Sequence, residues 1–95
     1  MENERLVTLE TICNHYSIET SFIRSLNEYG LIEITQVDQV ECIDQDRLGV
    51  MESLMNLHYE LNINMEGIDV ISHLLNRMKE MQKEIVLLRN RLNQE

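Results

Sequence analysis

Residues 9–31, LETICNHYSIETSFIRSLNEYGL, hold two helical patterns separated by a short break, and their reading decides the fold. Leu9, Ile12, Cys13 and Tyr16 recur at helical spacing and form one apolar stripe. Thr8 precedes them with a hydroxyl suited to accept from a free backbone N–H one turn on, so the pattern predicts a helix over 8–16. Ser17-Ile18 interrupts the period. A second helix is expected from Thr20 to Tyr29, with Phe22, Ile23 and Leu26 inward and Gly30 as the left-handed residue that ends it. Two short helices joined by a tight turn make a helix-turn-helix.

Downstream the period changes. Leu31, Ile32, Ile34, Thr35 and Val37, the polar pair Asp38-Gln39, then Val40, Cys42 and Ile43 predict a small β-hairpin, or wing. Asp44 is placed to cap a third helix over 45–61, with Ile43 and Leu48 as a hydrophobic staple. Leu48, Met51, Met55 and His58 fall on one stripe of that helix, with Leu54 and Leu61 beside it. Asn62-Ile63-Asn64 interrupts it, and Asn64 is placed to cap the next. Residues 65–93 form the longest periodic segment. Ile71, Met78, Ile85 and Leu92 recur every seven residues, with Leu74, Met81 and Leu88 at the complementary position. That is an a/d seam over about three heptads, the pattern of a helix that pairs with another. A homodimer is therefore expected, with these seven residues as its interface. Arg77 and Glu84 would approach each other in an antiparallel pair centred near Met81. The expected architecture is mainly α: a winged helix-turn-helix with a third helix over 1–63, and a long C-terminal coiled-coil helix over 64–95.

The 95 residues include 17 acids and 8 Lys or Arg, for a net charge of −9. Residues 1–70 have only Arg5, Arg24 and Arg47 against 14 acids, whereas residues 71–95 are mildly basic. Nucleic-acid affinity rests on cations that displace counterions, so a surface this negative argues against nucleic acid and for a basic partner. The second helix with its borders holds Glu19, Arg24 and Glu28, and the wing holds Glu33, Asp38 and Glu41 with no Lys or Arg. Length alone excludes a large catalytic fold. No apolar run reaches the roughly 20 residues of a membrane span, and no basic-then-apolar leader opens the chain, so secretion is not expected. Cys13 and Cys42 lack partners at zinc-ligand spacing and read as structural thiols, which fits a reducing, cytoplasmic setting. His15 and His73 are expected at the surface and His58 against the core. No nucleophile motif, paired acid–base carboxylates or phosphate loop is visible, so no enzyme activity, cofactor, metal or small-molecule substrate is expected.

The segment Leu9–Leu31 resembles the winged helix-turn-helix of the MerR family. Ile23-Arg24 followed by Gly30-Leu31 matches that family's Leu-Arg-x-x-x-x-x-Gly-Leu pattern with Ile for Leu, and Arg24 falls on the recognition-helix arginine of those regulators. Leu26 stands in place of the usual tyrosine, Glu19 in place of the usual capping serine, and the wing lacks the usual arginines. Nearly the whole chain resembles the CbpM family of chaperone modulators within that superfamily, most tellingly LHYELNINMEGIDVISHLL and the Ile85–Leu92 coil. This resemblance implies binding to the J-domain of a CbpA- or DnaJ-like co-chaperone and restraint of its stimulation of DnaK. J-domains of this type present a basic helix to DnaK, which an acidic surface could occupy. Charge and expected exposure nominate Glu19, Glu28, Glu33, Asp38 and Glu41 as contacts, with Ile32 or Ile34 as an apolar anchor. One alternative is a compact MerR-type DNA-binding regulator that uses Arg24 and a coiled-coil dimer; another is a generic assembly adaptor whose partner is not a J-domain protein.

Overall fold

A computed structural model describes residues 5–94. The elements follow in the order β1 (Leu6–Thr8), α1 (Leu9–Tyr16), α2 (Thr20–Glu28), β2 (Thr35–Val37), β3 (Val40–Asp44), a 3-10 turn (Gln45–Arg47), α3 (Leu48–Met55), a π-helical turn (Asn56–Glu60) and α4 (Met65–Asn93). The architecture is a winged helix-turn-helix with a long C-terminal helix, as its sequence pattern predicts.

The helix starts follow local chemistry. Thr8 Oγ1 accepts from the Thr11 N–H at 3.1 Å, Asp44 Oδ1 from the Asp46 N–H at 2.9 Å, and Asn64 Oδ1 from the Gly67 N–H at 2.8 Å. Each satisfies a backbone donor that the first helical turn leaves unpaired. Gly30 takes φ +75°, the left-handed geometry that ends α2 at little steric cost.

Three features depart from expectation. First, Leu6–Thr8 forms a strand, and the sheet is three-stranded and antiparallel in the order β1-β3-β2, with Val7 opposite Ile43 and Gln36 opposite Glu41. Second, the hairpin starts at Thr35 rather than Leu31. The Leu31 N–H bonds back to the Leu26 carbonyl at 2.9 Å, so this stretch completes the end of α2. Ile32 then plugs the core at 2% exposure. It is therefore corrected from a surface anchor to a core residue: the chain reversal at Gly30 turns its side chain inward. Third, the third helix is not uniform. It opens as a 3-10 turn and closes as a π turn, with the Leu61 N–H reaching the Asn56 carbonyl at 3.1 Å. Leu61 consequently points to solvent instead of joining the apolar stripe.

The two-residue hairpin turn contains no glycine, yet Asp38 and Gln39 both take positive φ, 51° and 68°. This is the backbone twist that two-residue hairpins require. The core joins Leu9 and Ile12 of α1, Phe22, Ile23 and Leu26 of α2, Ile43 of β3, Met51 and Leu54 of α3 and Ile68 of α4. Two tyrosines tie helices together at its edge. The Tyr16 hydroxyl donates to Glu52 at 2.7 Å and that of Tyr29 to Glu66 at 3.2 Å. The hydrogen bond to Glu52 holds the Tyr16 phenol above its ordinary pKa, and partial desolvation with the Glu66 bond does the same for Tyr29. Cys42 is buried in β3 and Cys13 half-buried.

Only the first turns of α4 reach the core. At about 1.5 Å per residue its 29 residues run about 43 Å. Leu74, Met78, Met81, Ile85, Leu88 and Leu92 are each between 48% and 72% exposed along it, and Ile71 is half-buried. Leu75, Val86 and Leu87, outside the heptad seam, are exposed as well.

Candidate partner-binding surface

The surface begins with α2 and the β2–β3 hairpin, which face each other across a narrow cleft. Arg24 projects from α2, because its neighbours Ile23 and Leu26 take the core-facing positions. Glu41 projects from β3 opposite Gln36. The two meet in a bidentate pair: Nη1 of Arg24 donates to Oε2 of Glu41 at 2.8 Å, and Nη2 to Oε1 at 2.6 Å. Parallel two-point geometry of this kind is the strong form of a carboxylate–guanidinium contact. The guanidinium of Arg24 is thus occupied from within the molecule.

The pair forms a bridge with an open cleft on either side. One cleft, about 470 Å³, is lined by Arg24, Asn27, Glu28, Ile34, Gln36 and Glu41. Asn27 Oδ1 accepts from the Ile34 N–H at 3.2 Å, which pins the loop after α2 and presents the half-buried Ile34 beside Glu28. The other cleft, about 460 Å³, runs past Cys13, Asn14 and Thr20 of the first two helices to Gln39 and Val40 of the hairpin. From Glu19 to Asp44 the chain carries six carboxylates against the single Arg24.

The structure therefore assembles Glu28, Ile34 and Glu41 around Arg24, and separates the other nominated residues from them. Asp38 is exposed at the hairpin tip and Glu33 on the loop before β2. Glu19 lies at the start of α2, beside Phe22, His58 and Tyr59. Sequence reasoning missed the partnership of Arg24 with Glu41, 17 residues apart. The local signal was a wing that carries Glu33, Asp38 and Glu41 and no Lys or Arg.

Among the described residues no group of three His, Cys, Asp or Glu could hold a metal ion. No described helix is long and apolar enough to cross a membrane.

Comparison with known proteins agrees with this architecture. A family model described as MerR HTH family regulatory protein matches residues 7–90. The chain is also 25% identical over 85 residues to the chaperone modulatory protein CbpM of Pseudomonas entomophila (strain L48), a match that covers 88% of this chain and 84% of that protein. No solved structure matches the chain closely enough to count.

Proposed function

The chain belongs to the MerR helix-turn-helix regulatory family, and from that premise we propose that it is a CbpM-like chaperone modulator. In this reading it binds the J-domain of a CbpA- or DnaJ-like co-chaperone through its acidic α2–hairpin face, and so keeps that J-domain from stimulating DnaK. The observation that carries the reading is the Arg24–Glu41 pair. A fold that reads DNA places basic side chains on its recognition helix. Here the one arginine is neutralised by the wing, and the surrounding cleft offers the carboxylate of Glu28 and the apolar edge of Ile34.

A basic helix fits such a cleft. Charge complementarity speeds encounter and sets orientation, while Ile34 adds the apolar contact that charge alone does not supply. Glu33 and Asp38 extend the negative field at the rim. The protein acts as a homodimer in the cytoplasm, paired through Ile71, Leu74, Met78, Met81, Ile85, Leu88 and Leu92 of α4, and works without cofactor, metal or catalysis.

The test is calorimetric titration with a purified CbpA-type J-domain, alongside DnaK ATPase stimulated by that J-domain. Saturable binding and a dose-dependent fall in stimulated ATPase are expected, with Glu28→Lys weakening both. No binding, or binding that leaves the stimulation intact, overturns the proposal. The family match over residues 7–90 favours a second reading, a compact DNA-binding regulator. A mobility shift at low salt that is sequence-selective and lost in Arg24→Ala would establish it.

A further inference from the structure

The π turn after α3 builds a second recognition feature away from the α2–hairpin cleft. π-helical turns are rare and often coincide with functional sites. This one lets two consecutive aromatic residues meet the same ring. The His58 imidazole stacks on Phe22 with centroids 4.9 Å apart and 22° between planes. Tyr59 meets Phe22 edge-on at 5.1 Å and His58 at 4.8 Å. His58 Nδ1 lies 3.0 Å from the Ile63 carbonyl, which fixes the ring. Phe22 is buried, whereas Tyr59 remains 49% exposed. Together with Glu19, Ser21 and Met65 these rings line an open notch of about 320 Å³.

Glu19 adds a negative charge to the wall of the notch. It occupies the N-cap position of α2 but makes no side-chain cap bond to the helix. Its carboxylate instead accepts from the Ser21 hydroxyl at 3.2 Å and stays at the notch wall. A carboxylate withheld from a helix start beside an exposed aromatic face is a cation-binding arrangement. A cation over an aromatic ring is attracted by the ring quadrupole, and the carboxylate adds a charge-assisted hydrogen bond. An apolar occupant would desolvate Glu19 without compensation, and a phosphate would meet its charge. Between the two cationic side chains, the planar and weakly hydrated guanidinium stacks on aromatic faces better than the compact ammonium. Met65 gives the notch a compliant wall.

We propose that the Phe22–His58–Tyr59 notch with Glu19 is a docking site for an arginine side chain of a basic protein partner. The site stands on its own geometry and holds whichever arginine-bearing protein the chain meets, so it is separable from the co-chaperone reading.

The test exploits the single phenylalanine of the chain, which makes ring-labelled Phe22 an unambiguous NMR reporter. Labelled protein is titrated with acetyl-Gly-Arg-Gly-amide, with the same peptide carrying neutral citrulline, and with its lysine counterpart. The arginine peptide is expected to move the Phe22 ring signals saturably in the millimolar range, the citrulline peptide to leave them in place, and the lysine peptide to bind more weakly. Tyr59→Leu and Glu19→Gln change exposed side chains, keep the native circular dichroism, and each weaken the arginine titration about fivefold. Equal shifts from citrulline, equal binding by lysine, or unchanged titration in both variants overturns the assignment.

Discussion

Met81→Asp tests whether the exposed seam of α4 is an interface between two copies. Met81 is 52% exposed in one chain, so the substitution leaves the protomer core untouched and its effect falls on association. In an antiparallel pair centred near this residue, Met81 meets its own counterpart. Covering the exposed half of a methionine contributes about 1 kcal/mol, half of the ~2 kcal/mol for full burial, and the loss is counted once per chain. The two aspartates would then face each other within an apolar seam, which costs at least another ~2 kcal/mol for polar groups removed from water without partners. The total, about 4 kcal/mol, weakens a dimer about a thousandfold, from micromolar to millimolar dissociation. Size-exclusion chromatography with light scattering at about 50 µM should therefore give twice the 11.3 kDa chain mass for the parent and the single mass for the variant. Asn90→Asp, on the outer face of the same helix, should keep the doubled mass. A parent protein of single mass, or a Met81→Asp variant of doubled mass, refutes the seam as the interface.

Binding of a basic J-domain should weaken about tenfold between roughly 50 and 500 mM salt, because exposed carboxylates are screened over a Debye length. Calorimetry across that range checks it, and salt-independent affinity would assign the energy to apolar contact. Ile32→Ala should lower stability by about 3 kcal/mol, and the melting temperature by about 15 °C, through the cavity left in the core. Ile34→Ala should cost about 1 kcal/mol, so a thermal or urea melt separates the plug from the surface residue. The Tyr16 phenol is held protonated by Glu52, above its ordinary value of 10.0. The stabilisation from that bond is complete below about pH 10 and is lost as the pH rises through the folded-state value. The melting-temperature advantage over Tyr16→Phe should thus hold up to about pH 10 and shrink above it, and a constant advantage would show that the bond contributes nothing to the pH dependence.

Three helix starts were legible because they are set over a few residues: Thr8, Asp44 and Asn64 each bond to a backbone N–H two or three positions away. Gly30 was legible for the same reason. The strand Leu6–Thr8 was not, since three residues show no alternation and Thr8 already reads as a cap. Leu31–Ile34 was misread because β-branched side chains suit a buried connection as well as a strand. Only the fold reveals that Ile32 closes the core. Within the candidate surface, charge and the helix-turn-helix placed Glu28, Ile34 and Glu41 on neighbouring elements, but the bidentate pairing depends on how the hairpin leans on α2. The aromatic notch was equally invisible, because 36 residues separate Phe22 from His58 and helical periodicity does not foresee a π turn.

The Arg24–Glu41 bridge also acts as a tethered competitor. Glu41 is a ligand for the guanidinium carried on the same chain, and such a ligand presents an effective concentration on the order of millimolar or more. An incoming phosphate must outcompete it before the first contact with the arginine forms. Conversely, a partner's cation that draws Glu41 away releases a positive charge at the centre of the cleft. That makes the bridge a point of exchange: the ligand of Arg24 and the availability of Glu41 are two sides of one equilibrium.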